Sequence, residues 1–253
     1  MLYGLYLSAT GVLTNSYRQD VIANNLANSE TVGFKKDVAL FQQRLTATQE
    51  QRKIAAHGDP RMLENLGGGV FASPTLVDSS QGELEPTGNQ LDIAVQGNGY
   101  FAVKAGGNSR LTRDGRFMVD RAGKLILANG KDQQVLDIQH RPIAIDSTQP
   151  LSIGKDGVIT QAGKPVAQVG LFDVPDKTKL QKEPGNLLNA GEMPLRPATG
   201  TLRSEFVERS NVDPTTELAQ LMDAQRQLEA NANMIRYQDQ MLGKLVNEVG
   251  KIS

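Results

Sequence analysis

The chain has no cysteine, no tryptophan and only two histidines, His57 and His140, in 253 residues. The missing cysteine excludes disulfides, thiolate zinc sites, iron–sulfur ligation and cysteine nucleophiles. It leaves the redox compartment open, because a chain without thiols suits either side of a membrane. Two histidines leave little for a metal site or a catalytic triad. An excess of charge is missing too. The 27 Lys+Arg and 28 Asp+Glu give a formal net charge of −1, so there is no global attraction to nucleic acid or anionic lipid. No run of about 18 apolar residues occurs, so no transmembrane helix or direct membrane insertion is expected. The first residues, MLYGLYLSATGVLTNSYRQD, start apolar but have no basic region ahead of them. Ser8, Thr10, Thr14, Asn15 and Ser16 interrupt the run, and no cleavable signal peptide is expected.

Glycine and proline punctuate the chain unevenly. Between Asp213 and Val249 stand one proline, Pro214, and one glycine, Gly243, whereas from Gly67 to Gly200 one or the other recurs every few residues. The contrast predicts helical ends around a β-rich middle. Asp213-Pro214 is a helix start, with a capping carboxylate followed by proline at the first helical position. Alternating steps of three and four from there reach Leu218, Leu221, Gln225, Leu228, Ala232, Ile235, Asp239, Leu242, Val246 and Val249. This is a heptad-like stripe on a helix about 54 Å long. The N-terminal segment repeats the step with Leu2, Leu5, Ala9, Val12, Ser16, Gln19, Ala23 and Leu26. It predicts a helix over residues 3–28, weakened at Gly4 and Gly11 by about 1 kcal/mol each relative to alanine.

The middle reads as short strands and tight turns. Strands are expected at 91–96, 100–104, 116–119, 124–128, 151–153, 158–160 and 166–174, with hairpin turns at Asp120–Gly123 and Lys155–Gly157. That spacing indicates an antiparallel sandwich or an open barrel, and the absence of βαβ alternation disfavours a nucleotide-binding α/β fold. The fold class is therefore mixed and mainly β, with a discontinuous helical domain built from both termini. The expected division is 1–35 and 206–253 for the helical domain, 36–69 for a connector hinged at Gly67–Gly69, and 70–205 for the β-rich domain. Phe41 and Leu45 are the expected anchors of the connector.

A long helix with a single apolar stripe cannot stand alone, because ordering its backbone opposes the burial of one row of side chains. Such stripes are satisfied by pairing within one chain, by a dimeric coiled coil, or by packing among many copies around an inner helical layer.

Five motifs bear on the choice. ANNLANSETVGFKK (Ala23–Lys36) resembles the N-terminal signature of the bacterial flagellar rod and hook proteins, at Asn24, Asn25, Leu26, Ala27, Asn28, Thr31, Gly33 and Phe34. SQGELEPTGNQLDIAVQGNGYFAV (Ser80–Val103) and LTRDGRF (Leu111–Phe117) resemble the central motifs of that family. SNVDPTTEL (Ser210–Leu218) and QDQMLGKL (Gln238–Leu245) resemble its C-terminal segment. The resemblance implies a paired helical inner domain, an outer β domain, and a role as an axial structural subunit of the flagellar basal body. It implies helical polymerisation into a hollow, torque-transmitting shaft that crosses the periplasm. The implied partners are copies of the chain itself, other rod proteins and the flagellar type III export apparatus, with no cofactor. The length favours a rod protein over a hook protein. Leu228, where distal-rod members usually carry an aromatic, and the continuation Val246–Ser253 favour the proximal-rod type, with the distal-rod type as the alternative. Outside the family, an adhesin-like β module on a helical stalk is the competing architecture.

The residues expected to carry subunit packing are Leu5, Ala9, Val12, Asn24, Asn25, Leu26, Asn28, Leu218, Leu221, Leu228, Ala232, Ile235, Leu242 and Val246. The asparagines suit either a helix C-terminus or hydrogen bonds between subunits. Gln225 and Asp239 are either solvated interruptions of the stripe or register-setting polar contacts. Phe34 is expected to anchor the chain to the β domain, although in the family this neighbourhood is also linked with export recognition. Gly82, Gly88, Gly97 and Gly99 suit turns rather than a phosphate-binding loop, since no strand-to-helix context surrounds them. Arg113 and Asp114 suit an ion pair or a subunit contact. Glu83, Glu85 and the two histidines present no base–nucleophile arrangement, so no enzymatic role is expected.

Overall fold

Helix α1 spans Leu2–Ala27, against the expected 3–28, and helix α2 spans Pro214–Val249, starting where Asp213-Pro214 sets it. They appear in a computed structural model that describes residues 2–43, 69–129, 132–146 and 149–249. Leu45, His57 and the Gly67-Gly68 part of the expected hinge lie outside the described residues. Among the described residues, no helix is long and apolar enough to cross a membrane.

The chain divides into two compact units. The helical unit comprises Met1–Leu26, Asp37–Thr75 and Pro214–Ser253, and the β unit comprises Ala27–Lys36 and Leu76–Asp213. Besides α1 and α2, the helical unit carries the strand Asp37–Gln43, paired with Val70–Val77. Part of the expected connector is thus extended. Tyr17 of α1 holds this pair through its hydroxyl, which donates to the Ser73 carbonyl at 3.2 Å, and through an edge-to-face contact with Phe41 at 6.4 Å.

The β unit is antiparallel throughout its recorded pairings. Its largest sheet runs Gln181–Glu183, Leu187–Asn189, Asn108–Thr112, Tyr100–Ala105, Gln134–Val135, Leu125–Leu127 and Phe117–Val119, in that spatial order. Leu151–Ile153, Val158–Gln161 and Lys164–Gln168 form a second, three-stranded sheet, and among the described residues the strands close into no barrel. The two expected hairpins are present, at 117–127 and 151–161. The central strand explains the thickness of the unit. Phe101 and Val103 enter one apolar core with Ile93, Leu125 and Leu127, while Tyr100 and Ala102 enter another with Leu111, Phe172 and Leu188. A continuous YFAV run is what a strand covered on both faces requires.

One strand expectation is corrected. Residues 166–174 are two strands in different sheets: Lys164–Gln168 pairs with Val158–Gln161, and Leu171–Asp173 pairs with Tyr100–Ala105. The switch occurs at Gly170, where a side-chain carbon would lie 2.6 Å from the Phe172 ring and 2.7 Å from the Asp137 carbonyl oxygen. Only glycine admits that approach.

Candidate functional site

The sequence places its assembly residues on the two helices, and α1 and α2 pair in the helical unit with a seam one residue away from the apolar stripe. Gly4 lies against the Gln238 amide and Gly11 against the Asn231 amide. Two heptads further along, the Asn25 amide donates to Glu217 Oε2 at 3.4 Å. These contacts run antiparallel on one register. The seam-facing row of α2 is therefore Glu217, Leu221, Ala224, Leu228, Asn231, Ile235, Gln238 and Leu242, all buried or half-buried. Leu221, Leu228, Ile235 and Leu242 belong to both rows. Gln225 and Asp239 point away and are exposed, and the polar seam positions fall on Asn231 and Gln238 instead.

Leu5, Ala9, Val12, Leu26 and Ala232 are half-buried beside the seam. Leu218 is 49% exposed and Val246 is 70% exposed. Other large apolar side chains of the two helices are left open: Tyr6, Leu7 and Leu13 on α1, and Met222, Met234, Tyr237 and Met241 on α2. The β unit exposes only Met118, Ile138 and Val166 among its described large apolar residues.

The asparagine cluster divides. Asn24 is exposed. The Asn28 side chain accepts from the Thr31 hydroxyl at 3.2 Å. Asn25, 2% exposed, donates to the Asp37 carbonyl at 2.9 Å and accepts the Asp37 N–H at 2.8 Å, in addition to meeting Glu217. It ties the end of α1, the start of a strand and the first turn of α2 together. Glu217 also places negative charge at the N-terminal turn of α2, where the helix dipole favours it.

Within the β unit, the sequence motifs converge on one buried carboxylate. Glu208, 0% exposed, pairs through Oε1 with the Lys35 ammonium and accepts the Gly82 N–H at 3.0 Å. Its Oε2 accepts from Arg113 Nη1 at 2.9 Å. Lys35 also donates to the Ser80 carbonyl at 2.6 Å, and Arg113 Nη2 donates to the Gly97 carbonyl at 2.8 Å while its guanidinium lies 5.0 Å from the centre of the Tyr100 ring. Burial pushes the Lys35 ammonium below the ordinary lysine range, against the opposing pull of Glu208. Burial likewise pushes the Tyr100 phenol up.

The backbone joins in. The Gly33 N–H donates to the Glu208 carbonyl at 2.7 Å, and a side-chain carbon on Gly33 would lie 2.3 Å from the Arg113 carbonyl carbon. Asn211 accepts the Lys36 N–H at 2.7 Å and donates to the Asp78 carbonyl at 3.1 Å. Phe34, 6% exposed, packs inside the β unit under the Lys182 ammonium, as an anchor would. Arg113 and Asp114 both serve ion pairs, Asp114 with the fork of Arg116 at 2.9 and 3.1 Å. Lys35 and Glu208 were not legible as site residues, because nothing periodic links two charges 173 positions apart.

A β unit with its own core, and a helical unit that pairs both chain ends and carries most of the exposed large apolar side chains, are the features of a structural rather than a catalytic class of protein. Three family models match in the same chain order: the flagella basal body rod protein over residues 5–35, the flagellar hook protein FlgE/F/G D1 domain over 94–161, and the flagellar basal body rod FlgEFG protein C-terminal over 203–248. The chain is 34% identical to the flagellar basal-body rod protein FlgG of Bacillus subtilis, covering 98% of this chain and 99% of that one. It is 32% identical to the flagellar basal-body rod protein FlgF of Caulobacter vibrioides, covering 98% of each. FlgG of Buchnera aphidicola from Baizongia pistaciae is 33% identical over 97% of this chain and 99% of its own length. The chain belongs to the flagellar basal-body rod protein family, a family of structural rod proteins of the bacterial flagellum.

Proposed function

We propose that this chain is a structural subunit of the flagellar basal-body rod, of the proximal-rod type, in which the helical unit forms the inner axial layer and the β unit faces outward. It packs against copies of itself and neighbouring rod proteins, is delivered by the flagellar type III export apparatus without a cleaved signal peptide, and contributes to a shaft that crosses the periplasm. The observation that carries this reading is the set of apolar side chains left open on α1 and α2, in a unit whose seam uses only one row of each helix. Leu228, at the position where the family's distal-rod members usually carry an aromatic, supports the proximal type.

Leu218→Asp and Val246→Asp test the packing role at positions that the single chain leaves exposed. Each should abolish rod assembly and swimming while the purified variant keeps the parental unfolding midpoint of its β unit. Normal rods in both variants would refute the role. Deleting the chain should arrest the basal body before any distal rod is added, as seen by electron microscopy of purified basal bodies. An arrest that leaves a proximal rod in place would instead make the distal-rod type the correct one.

A further inference from the structure

Glycine lowers helix stability most in a helix interior, and α1 places Gly11 there and Gly4 in its first turn, seven residues apart. On α2, Asn231 and Gln238 have the same spacing. A side-chain carbon at Gly4 would lie 2.8 Å from Gln238 Nε2, and one at Gly11 would lie 2.8 Å from Asn231 Nδ2 and 3.1 Å from its Cγ. Gly243, also helical, has nothing within 4 Å of that position. We infer that Gly4 and Gly11 are sockets for Gln238 and Asn231, and that this glycine–amide pairing fixes the spacing and register of the α1–α2 pair.

Size complementarity along the whole seam supports the inference. The same register sets long Arg18 across from Ala224, which is fully buried, and ends on the hydrogen-bonded Asn25–Glu217 layer. Sliding α2 by one heptad in one direction sets Gly11 against Ala224 and leaves a void. Sliding it in the other sets Arg18 against Asn231 and crowds two large side chains. Gln238 Oε1 is buried with no partner among the described residues, so that oxygen adds no hydrogen bond to the socket. An apolar stripe alone would tolerate several registers, and polar or size-matched positions at a helix seam select one.

The test uses the full-length chain, which has no native cysteine to interfere. Ser8→Cys with Ile235→Cys places thiols at positions that this register sets across the seam. Copper-catalysed oxidation traps them each time the pair closes, so the disulfide yield reports the preferred register. Gly11→Leu should cut the yield by about tenfold or more, as overpacking of a fitted seam does. Adding Asn231→Gly should restore it, because the socket and its occupant have exchanged sides. Gly243→Leu should leave the yield unchanged, and Gln238→Met, which keeps the length without the amide, should leave it within about twofold. The inference is overturned if the parental cysteine pair does not cross-link, if Gly11→Leu cross-links normally, if Asn231→Gly fails to rescue it, or if Gln238→Met behaves like Gly11→Leu.

Discussion

The β unit and the helical unit spend their apolar residues in opposite ways. The two cores of the β unit take in the side chains of every central strand, and Ile93, Val95, Phe101, Val103, Leu125 and Leu127 are all at 0% exposure. In α2, Ala224 is the only described apolar residue buried to that degree, while Met234, Tyr237, Met241 and Val246 are each more than half exposed. The first unit is complete within one chain. The second leaves large apolar side chains open on both helices, and under the proposed packing these are what neighbouring copies would cover.

Hydrogen exchange on dilute, verified monomer puts the largest expected effect on that contrast. Amides of Tyr100–Ala105 should exchange only through global opening of the β unit, at a free energy of about 5–15 kcal/mol. Those of residues 2–27 and 214–249 should exchange with little protection. Strong protection of both helices in the monomer would erase the distinction. Next in size, Glu208→Ala leaves the Lys35 and Arg113 cations buried without their shared carboxylate. It should destabilise the β unit by about 3–5 kcal/mol in denaturant titration, with the α1–α2 disulfide yield as the readout that should not move. The smallest effect is on Asp78, which lies in the β unit. Its burial favours the neutral acid, but the Ser80 hydrogen bonds and the Lys36 charge outweigh that and hold the carboxyl below its usual range. Its contribution is therefore present above the unfolded value near pH 3.9 and is lost as pH falls through the lower folded value. Asp78→Asn should flatten the acid-side fall in the β-unit melting temperature, by an amount within the roughly 1 kcal/mol typical of solvent-screened pairs.

The two units were also unequally legible in the sequence. The helices were readable because Asp213-Pro214 starts α2 locally and the three-and-four step runs the length of α1, and the hairpins at 117–127 and 151–161 were readable because their turns carry glycine in short loops. The family resemblance carried the function, since five motifs in order say more than any periodicity. What stayed hidden depends on distance along the chain. The sheet switch at Gly170 depends on where Asp137 and Phe172 lie. The Glu208 cluster joins residues that share no period. The apolar stripe of α2 shares Leu221, Leu228, Ile235 and Leu242 with the row that faces α1, but Glu217, Ala224, Asn231 and Gln238 complete that row, and hydrophobicity alone does not mark them. The seven-residue spacing of Gly4 and Gly11, set beside that of Asn231 and Gln238, is the signal that identifies the seam.

Glu208 has one more consequence. Lys35 lies at the end of the chain's first passage through the β unit, Ala27–Lys36, and Glu208 near the end of its second, Leu76–Asp213, 173 positions later. Their pairing, with Gly33 bonded to the Glu208 carbonyl and Asn211 bonded to Lys36, closes that whole length into a loop without a covalent cross-link. A load applied to both ends of the chain at once is then borne at the neck of the loop, across charged contacts held out of water, before any sheet inside it is sheared. In a protein with no cysteine, this buried closure does the work that a disulfide at the same place would do.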